Sequence, residues 1–221
     1  VENIGMEYID EILSRYKRNL DNYLNYNPKI PSLITPKFIP RNGSKKAITP
    51  KQLIQSNEGI AIIGDTGCGK SVAQTFLAKF LLKKENEKRI PLFIKDEIKY
   101  ALNNQKEKNI GNIITHIFDK FNRFIDTKNS NHASEVLKKL AEESRLVIFI
   151  DGIDEIDRTL KSKSGDGIVF YLNQVIMKLP YLSRCQFIVS SRKNRYEDCK
   201  MEMWNNKYEP IHWDKKRIFQ Y

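Results

Sequence analysis

One short stretch carries the residue types that hold a polyphosphate. Residues 60–71 read I-A-I-I-G-D-T-G-C-G-K-S, an apolar run followed by glycines at 64, 67 and 69 and then by Lys70 and Ser71. The pattern fits G-x-x-x-x-G-K-[ST]. A polyphosphate concentrates negative charge, so a backbone that binds it must wrap it with N–H donors. Glycine allows positive φ there and removes the Cβ atoms that would block close approach. On this reading Gly64, Asp65, Thr66, Gly67, Cys68 and Gly69 cradle phosphate, Lys70 reaches the β- and γ-phosphates, and the Ser71 hydroxyl coordinates Mg²⁺. A helix that starts near Gly69 points its positive end at the anion. Cys68 has two readings: an oxidation-sensitive thiol beside a helix N-terminus, or a small filler of the loop.

A second cluster follows the run Leu146 to Ile150, where L-V-I-F-I ends in D-G-I-D-E-I-D. An acid at the C-terminal end of a buried strand stands opposite the loop hydroxyl of a phosphate-loop protein and helps to hold Mg²⁺; Asp151 has that position. Asp154 or Glu155, one short turn further on, is placed to orient and polarise an attacking water, with Glu155 preferred. Asp157 reads as a solvated charge or a cap. The third cluster, F-I-V-S-S-R, ends in Arg192, whose planar fork of donors suits a γ-phosphate and would report its presence.

These clusters need elements that bring them to one place. Ile60 to Ile63, Arg89 to Ile94, Leu146 to Ile150 and Phe187 to Val189 read as strands, and Glu209 to His212 as a fifth. Helices are expected over 6–24, from Pro50 to Ser56 behind an N-cap at Thr49, and over Lys70 to Lys84, Gly111 to Phe124, Ala133 to Ser144 and Asp166 to Leu179. Residues 27 to 40 carry four prolines and read as an extended linker. Strands that alternate with helices argue for an α/β fold on a parallel sheet, which gathers ligand groups at its strand C-termini. Gly64, Asp151 and Arg192 would then share one edge.

The chain has 221 residues, 40% hydrophobic and 29% charged, with a net charge of +11. The basic excess is spread as lysines along helix-like segments, so neither nucleic acid nor membrane is expected as a partner. No run approaches the roughly 18 apolar residues of a membrane span. The start V-E-N-I-G-M-E-Y resembles no secretory leader and lacks an initiator Met, which suggests an excised piece of a longer protein. Three cysteines at 68, 185 and 199 match no zinc pattern, and a reducing, cytoplasmic setting is the simplest reading.

Taken together, the three clusters resemble the NACHT module of the signal-transducing STAND NTPases, in the AAA+-like ASCE division of P-loop proteins. G-D-T-G-C-G-K-S is similar to Walker A, and L-V-I-F-I-D-G-I-D-E is similar to the NACHT form of Walker B. In typical AAA+ proteins Glu directly follows the Mg²⁺-associated Asp; here Gly152 takes its place. F-I-V-S-S-R is similar to a sensor strand that usually ends T-S-R, with Ser190 in place of Thr. The resemblance covers roughly Pro40 to Tyr221.

What the resemblance implies is a three-layer P-loop sandwich with a parallel five-stranded sheet in the order 5-1-4-3-2 and helices on both faces. The domains would be 1–40 as N-terminal helix and linker, 41–213 as the nucleotide-binding unit, and 214–221, with Asp214 as N-cap, as the start of a following helical domain. It implies ATP/ADP with Mg²⁺, slow hydrolysis, and a nucleotide-dependent switch that controls homo-oligomerisation, in immune or anti-phage defence. Effector and sensor domains would lie outside this chain. Because the chain stops where the family's small helical and winged-helix domains begin, it also implies weaker nucleotide retention than in an intact relative. The base is not read from the sequence, although residues around Ile39 and Pro40 are candidates to contact it. Two other functional classes stand beside the switch: an assembly module stabilised by nucleotide with negligible turnover, and a nucleic-acid-stimulated ATPase suggested by charge alone.

Overall fold

The computed structural model describes residues 6–25, 36–41, 46–55, 58–83, 88–94, 130–164, 167–196, 199 and 206–210. The helix expected over Gly111 to Phe124, the polyproline stretch before residue 36 and the final segment from Asp214 lie outside them.

The elements in chain order are α1 (Met6–Asn25), β1 (Phe38–Pro40), α2 (Pro50–Gln55), β2 (Ile60–Ile63), α3 (Lys70–Leu82), β3 (Ile90–Ile94), α4 (Ser130–Glu142) and β4 (Leu146–Ile150). There follow α5 (Ile153–Ser164), α6 (Ile168–Lys178), a 3₁₀ turn (Pro180–Arg184), β5 (Gln186–Ser191), the short α7 (Lys193–Tyr196) and β6 (Asn206–Pro210). They form one six-stranded sheet in the order β1-β6-β2-β5-β4-β3. Every residue of β2, β4 and β5 is buried, as strands covered on both faces must be. This explains why I-A-I-I and L-V-I-F-I are continuous apolar runs rather than alternating ones.

The sheet corrects the expected five strands in the order 5-1-4-3-2. Phe38–Pro40 is a sixth strand, not part of a linker, and pairs antiparallel with β6 through Phe38 with Pro210 and Pro40 with Tyr208. Counting the parallel strands alone, the order is fifth, first, fourth, third, second. Beyond β6, β1 makes only an isolated bridge, Phe38 with Ile48, and no bridge at Pro40 among the described residues, so a residue without an N–H is tolerated there. The last strand also begins earlier than expected, at Asn206–Pro210; residues 211 and 212 of the expected strand lie outside the described residues. Its register places Asn206 opposite Ile60 and Tyr208 opposite Ile62.

The amphipathic spacing in α1 buries Ile9, Ile12, Leu13, Tyr16, Leu20 and Leu24 in the same core as the sheet. Tyr16 is fully buried and its hydroxyl donates to the Pro91 carbonyl of β3 at 2.7 Å. Burial raises its pKa, so the hydroxyl stays a donor. Tyr16→Phe is expected to cost about 1 kcal/mol through the unpaired carbonyl. A urea titration should show a lower midpoint with an unchanged slope.

Candidate nucleotide site

Parallel strands deliver their C-terminal ends to one edge. Ile63 pairs with Ser191 and Ile150 with Val189, so the residues that follow β2 and β4 emerge beside the end of β5. The Gly64 N–H continues this ladder to the Ser191 carbonyl at 3.2 Å. Around that edge Thr66, Gly67, Lys70, Ser71, Asp151, Gly152, Asp154, Glu155, Ser190 and Arg192 line one open cavity of about 220 Å³. Lys70 and Asp151, 81 residues apart in sequence, therefore face the same space.

The loop is closed by its own side chains. Gly67 and Gly69 take positive φ, 80° and 89°. Gly64 meets a different constraint: a Cβ there would lie 2.4 Å from the Cys68 sulfur. Cys68 is 4% exposed and packs inside the loop, its sulfur 3.8 Å from the Lys70 ammonium; the burial supports the filler reading. The Lys70 ammonium arches back to donate to the Gly64 and Asp65 carbonyls, each at 2.8 Å. Ser71 is exposed at the first turn of α3, beside the cavity, and Asp65, Thr66 and Gly67 are exposed above it.

Asp154 and Glu155 do not lie on a turn after β4. They occupy the first turn of α5, a helix the sequence reading did not assign. Acids there complement the positive helix end, and Ile153 and Ile156 bury one face. Gly152 joins strand to helix at φ 69°, a left-handed conformation that strains any residue with a Cβ. This backbone is a physical reason for Gly, not Glu, directly after Asp151. Asp157 is buried rather than solvated: its Oδ1 accepts the Ile168 N–H at 2.8 Å, capping α6, and its Oδ2 pairs with Lys161 at 2.8 Å.

Two residues outside the expected set hold the site together. Ser190, fully buried, donates its hydroxyl to Asp151 Oδ1 and accepts the Gly152 N–H at 2.8 Å. Gln74, also fully buried, donates from Nε2 to the Ile150 and Ile188 carbonyls, each at 3.1 Å, and so ties α3 to the end of β4 and the middle of β5. The S-S-R string marked Ser190 as a departure from a family pattern, and nothing local marked Gln74. Arg192 donates from Nη2 to Glu155 Oε1 at 2.8 Å, its Nε lies 3.5 Å from Asp154 Oδ2, and its backbone N–H reaches Asp154 Oδ1 at 3.3 Å.

The donor set can be tested against Mg²⁺. Among the described residues no group of three or more His, Cys, Asp or Glu could cage a metal. Mg²⁺ needs no such cage, since it takes one or two protein oxygens and completes its shell with water and phosphate. The Ser71 hydroxyl and the Asp151 carboxylate at one cavity fit that requirement.

Comparison with known proteins gives one family. A family model described as Nephrocystin 3, N-terminal, matches residues 50–192, a range that runs from α2 through the glycine loop to Arg192. No curated protein matches the chain. Solved structures similar to it include the ORC2 protein of Aeropyrum pernix in ADPNP–ADP complexes, at 13% identity over 77% of this chain and 47% of that one, TM-score 0.49. PCH-2 of C. elegans is 13% identical over 77% and 40%, TM-score 0.44. Cdc6p of Pyrobaculum aerophilum is 15% identical over 100% and 49%, TM-score 0.38. The chain spans less than half the length of each.

Proposed function

The chain belongs to the nephrocystin 3 N-terminal family, and from that premise we propose that it is a nucleoside-triphosphate-binding module working as a regulatory switch, of the NACHT type within the STAND NTPases. The observation that carries this reading is the single cavity that sets Lys70 and Ser71 against Asp151, Asp154, Glu155 and Arg192. Separate motifs predict each group, and their shared cavity supports reading them as one site.

In this reading the loop N–H groups and Lys70 hold the phosphates, and Ser71 and Asp151 hold Mg²⁺. Magnesium bound there supplies charge neutralisation at the phosphate oxygens. Ser190 fixes the rotamer of Asp151 through its hydroxyl. Asp154 and Glu155 orient an attacking water, and Arg192 meets the terminal phosphate. Positioning and charge stabilisation then lower the barrier, with slow turnover suited to a timer. The nucleotide-binding unit would span 41–213, with homo-oligomerisation in the full-length protein and a role in defence signalling. Among the described residues no helix is long and apolar enough to cross a membrane.

The test is a calorimetric titration of the chain with ATP, ADP and GTP in magnesium buffer, beside a phosphate-release assay. Saturable binding with slow release of phosphate supports the switch. Saturable binding with no release supports the assembly module instead, and no binding of any nucleotide removes both.

A further inference from the structure

Arg192 stands between two anions of unequal mobility. Asp154 is the fixed one: its side chain is 6% exposed and it takes both the guanidinium edge and the backbone N–H of Arg192. Glu155 is the exchangeable one. Its side chain is 36% exposed, and it holds the outer nitrogen of an Arg192 that is itself 40% exposed. Both carboxylates project from the first turn of α5 into the cavity that Lys70 and Ser71 line from the other side. A guanidinium fork engaged by Glu155 is not free to engage a phosphate along the same edge.

We propose that Glu155 is a specificity-determining residue that competes with the terminal phosphate for Arg192, so that the pair, rather than Arg192 alone, sets the discrimination between nucleoside triphosphate and diphosphate. This deepens the nucleotide reading above and rests on it. A diphosphate leaves the Arg192–Glu155 pair intact. A triphosphate draws the guanidinium toward its third phosphate and breaks its contact with Glu155. Loss of that phosphate returns Arg192 to Glu155.

The competition has a measurable size. Pairs this exposed are worth a fraction of 1 kcal/mol up to about that much, which corresponds to roughly a two- to fivefold change in affinity. Glu155→Gln is therefore expected to bind a non-hydrolysable triphosphate about two- to fivefold more tightly than the unmodified chain, with ADP affinity unchanged. The non-hydrolysable analogue separates this gain from trapping by blocked turnover. Arg192→Ala should lose about tenfold or more in triphosphate affinity and nothing for ADP. The decisive arm is the double variant, which should match Arg192→Ala, because Glu155→Gln has no guanidinium left to release. If ADP binds normally but Glu155→Gln gives no gain, gives an equal gain for ADP, or keeps its gain in the Arg192→Ala background, the competition proposal is overturned and the nucleotide site stands. If the unmodified chain binds neither ADP nor the analogue, the nucleotide reading fails and this proposal with it.

Discussion

Replacing Lys70 by Ala is expected to weaken ATP binding by at least about 100-fold, close to 3 kcal/mol, while leaving the fold intact. The ammonium is the one full positive charge that the phosphate loop itself brings to the cavity. Charge-assisted contacts of this kind contribute about 1.5–3 kcal/mol each, and an ammonium between two phosphates makes more than one. The cost to stability is small for a structural reason. The partners of Lys70 are the Gly64 and Asp65 carbonyls at 2.8 Å and the Cys68 sulfur at 3.8 Å, in a loop whose neighbouring residues Asp65, Thr66 and Gly67 are exposed. Water replaces the ammonium there, so unfolding should move by no more than about 0.5 kcal/mol. Calorimetry gives the affinity and a thermal melt gives the control. Unchanged affinity in a folded variant would place the phosphates elsewhere and remove the role assigned to this loop.

How much of the site was legible follows from how local each signal is. The glycine loop over 64–71 is a string of adjacent residues whose types are dictated by backbone shape and charge, so its turn and the helix after it read directly. Leu146–Ile150 reads for a similar reason: a strand covered on both faces has no polar position to interrupt it. Helix α5 did not read. It begins straight after Gly152, and its apolar marks at Ile153 and Ile156 are spaced among charged residues, so D-G-I-D-E looks like a closing turn. Phe38–Pro40 was hidden by the prolines around it, which are compatible with a strand only at a sheet edge. Asn206–Pro210 carries little apolar character because it is only partly buried, and its register comes from Ile60 to Ile62, far away in sequence.

Gln74 and Ser190 were the least legible. Gln74 finds its two carbonyls 76 and 114 residues away, and Ser190 finds Asp151 39 residues away. No local pattern encodes such contacts; they exist only once the parallel sheet has aligned the ends of β4 and β5. The same alignment turns Asp154, Glu155 and Arg192 from separate candidates into one hydrogen-bonded group.

Asp151→Asn is expected to remove the magnesium-dependent part of ATP affinity and to cut any phosphate release by about 100- to 1,000-fold, the usual cost of losing a preorganised electrostatic group. The substitution isolates charge from shape. Asp151 is 9% exposed, and its Oδ1 already accepts the Ser190 hydroxyl, a contact that the Asn carbonyl oxygen can keep. Ser190 in turn keeps the Gly152 N–H, so the left-handed link into α5 survives. What disappears is the negative charge facing Ser71 across the cavity. ATP affinity measured with magnesium and then with a chelator should therefore differ in the unmodified chain and converge in Asp151→Asn. Ser190→Ala supplies the complementary case. It keeps the charge and frees the rotamer, so magnesium dependence should persist while phosphate release falls about tenfold, the effect of misplacement rather than of lost charge. If Asp151→Asn kept the full magnesium gain, the cation would be held by other groups, and the strand-end carboxylate would serve only to anchor Ser190.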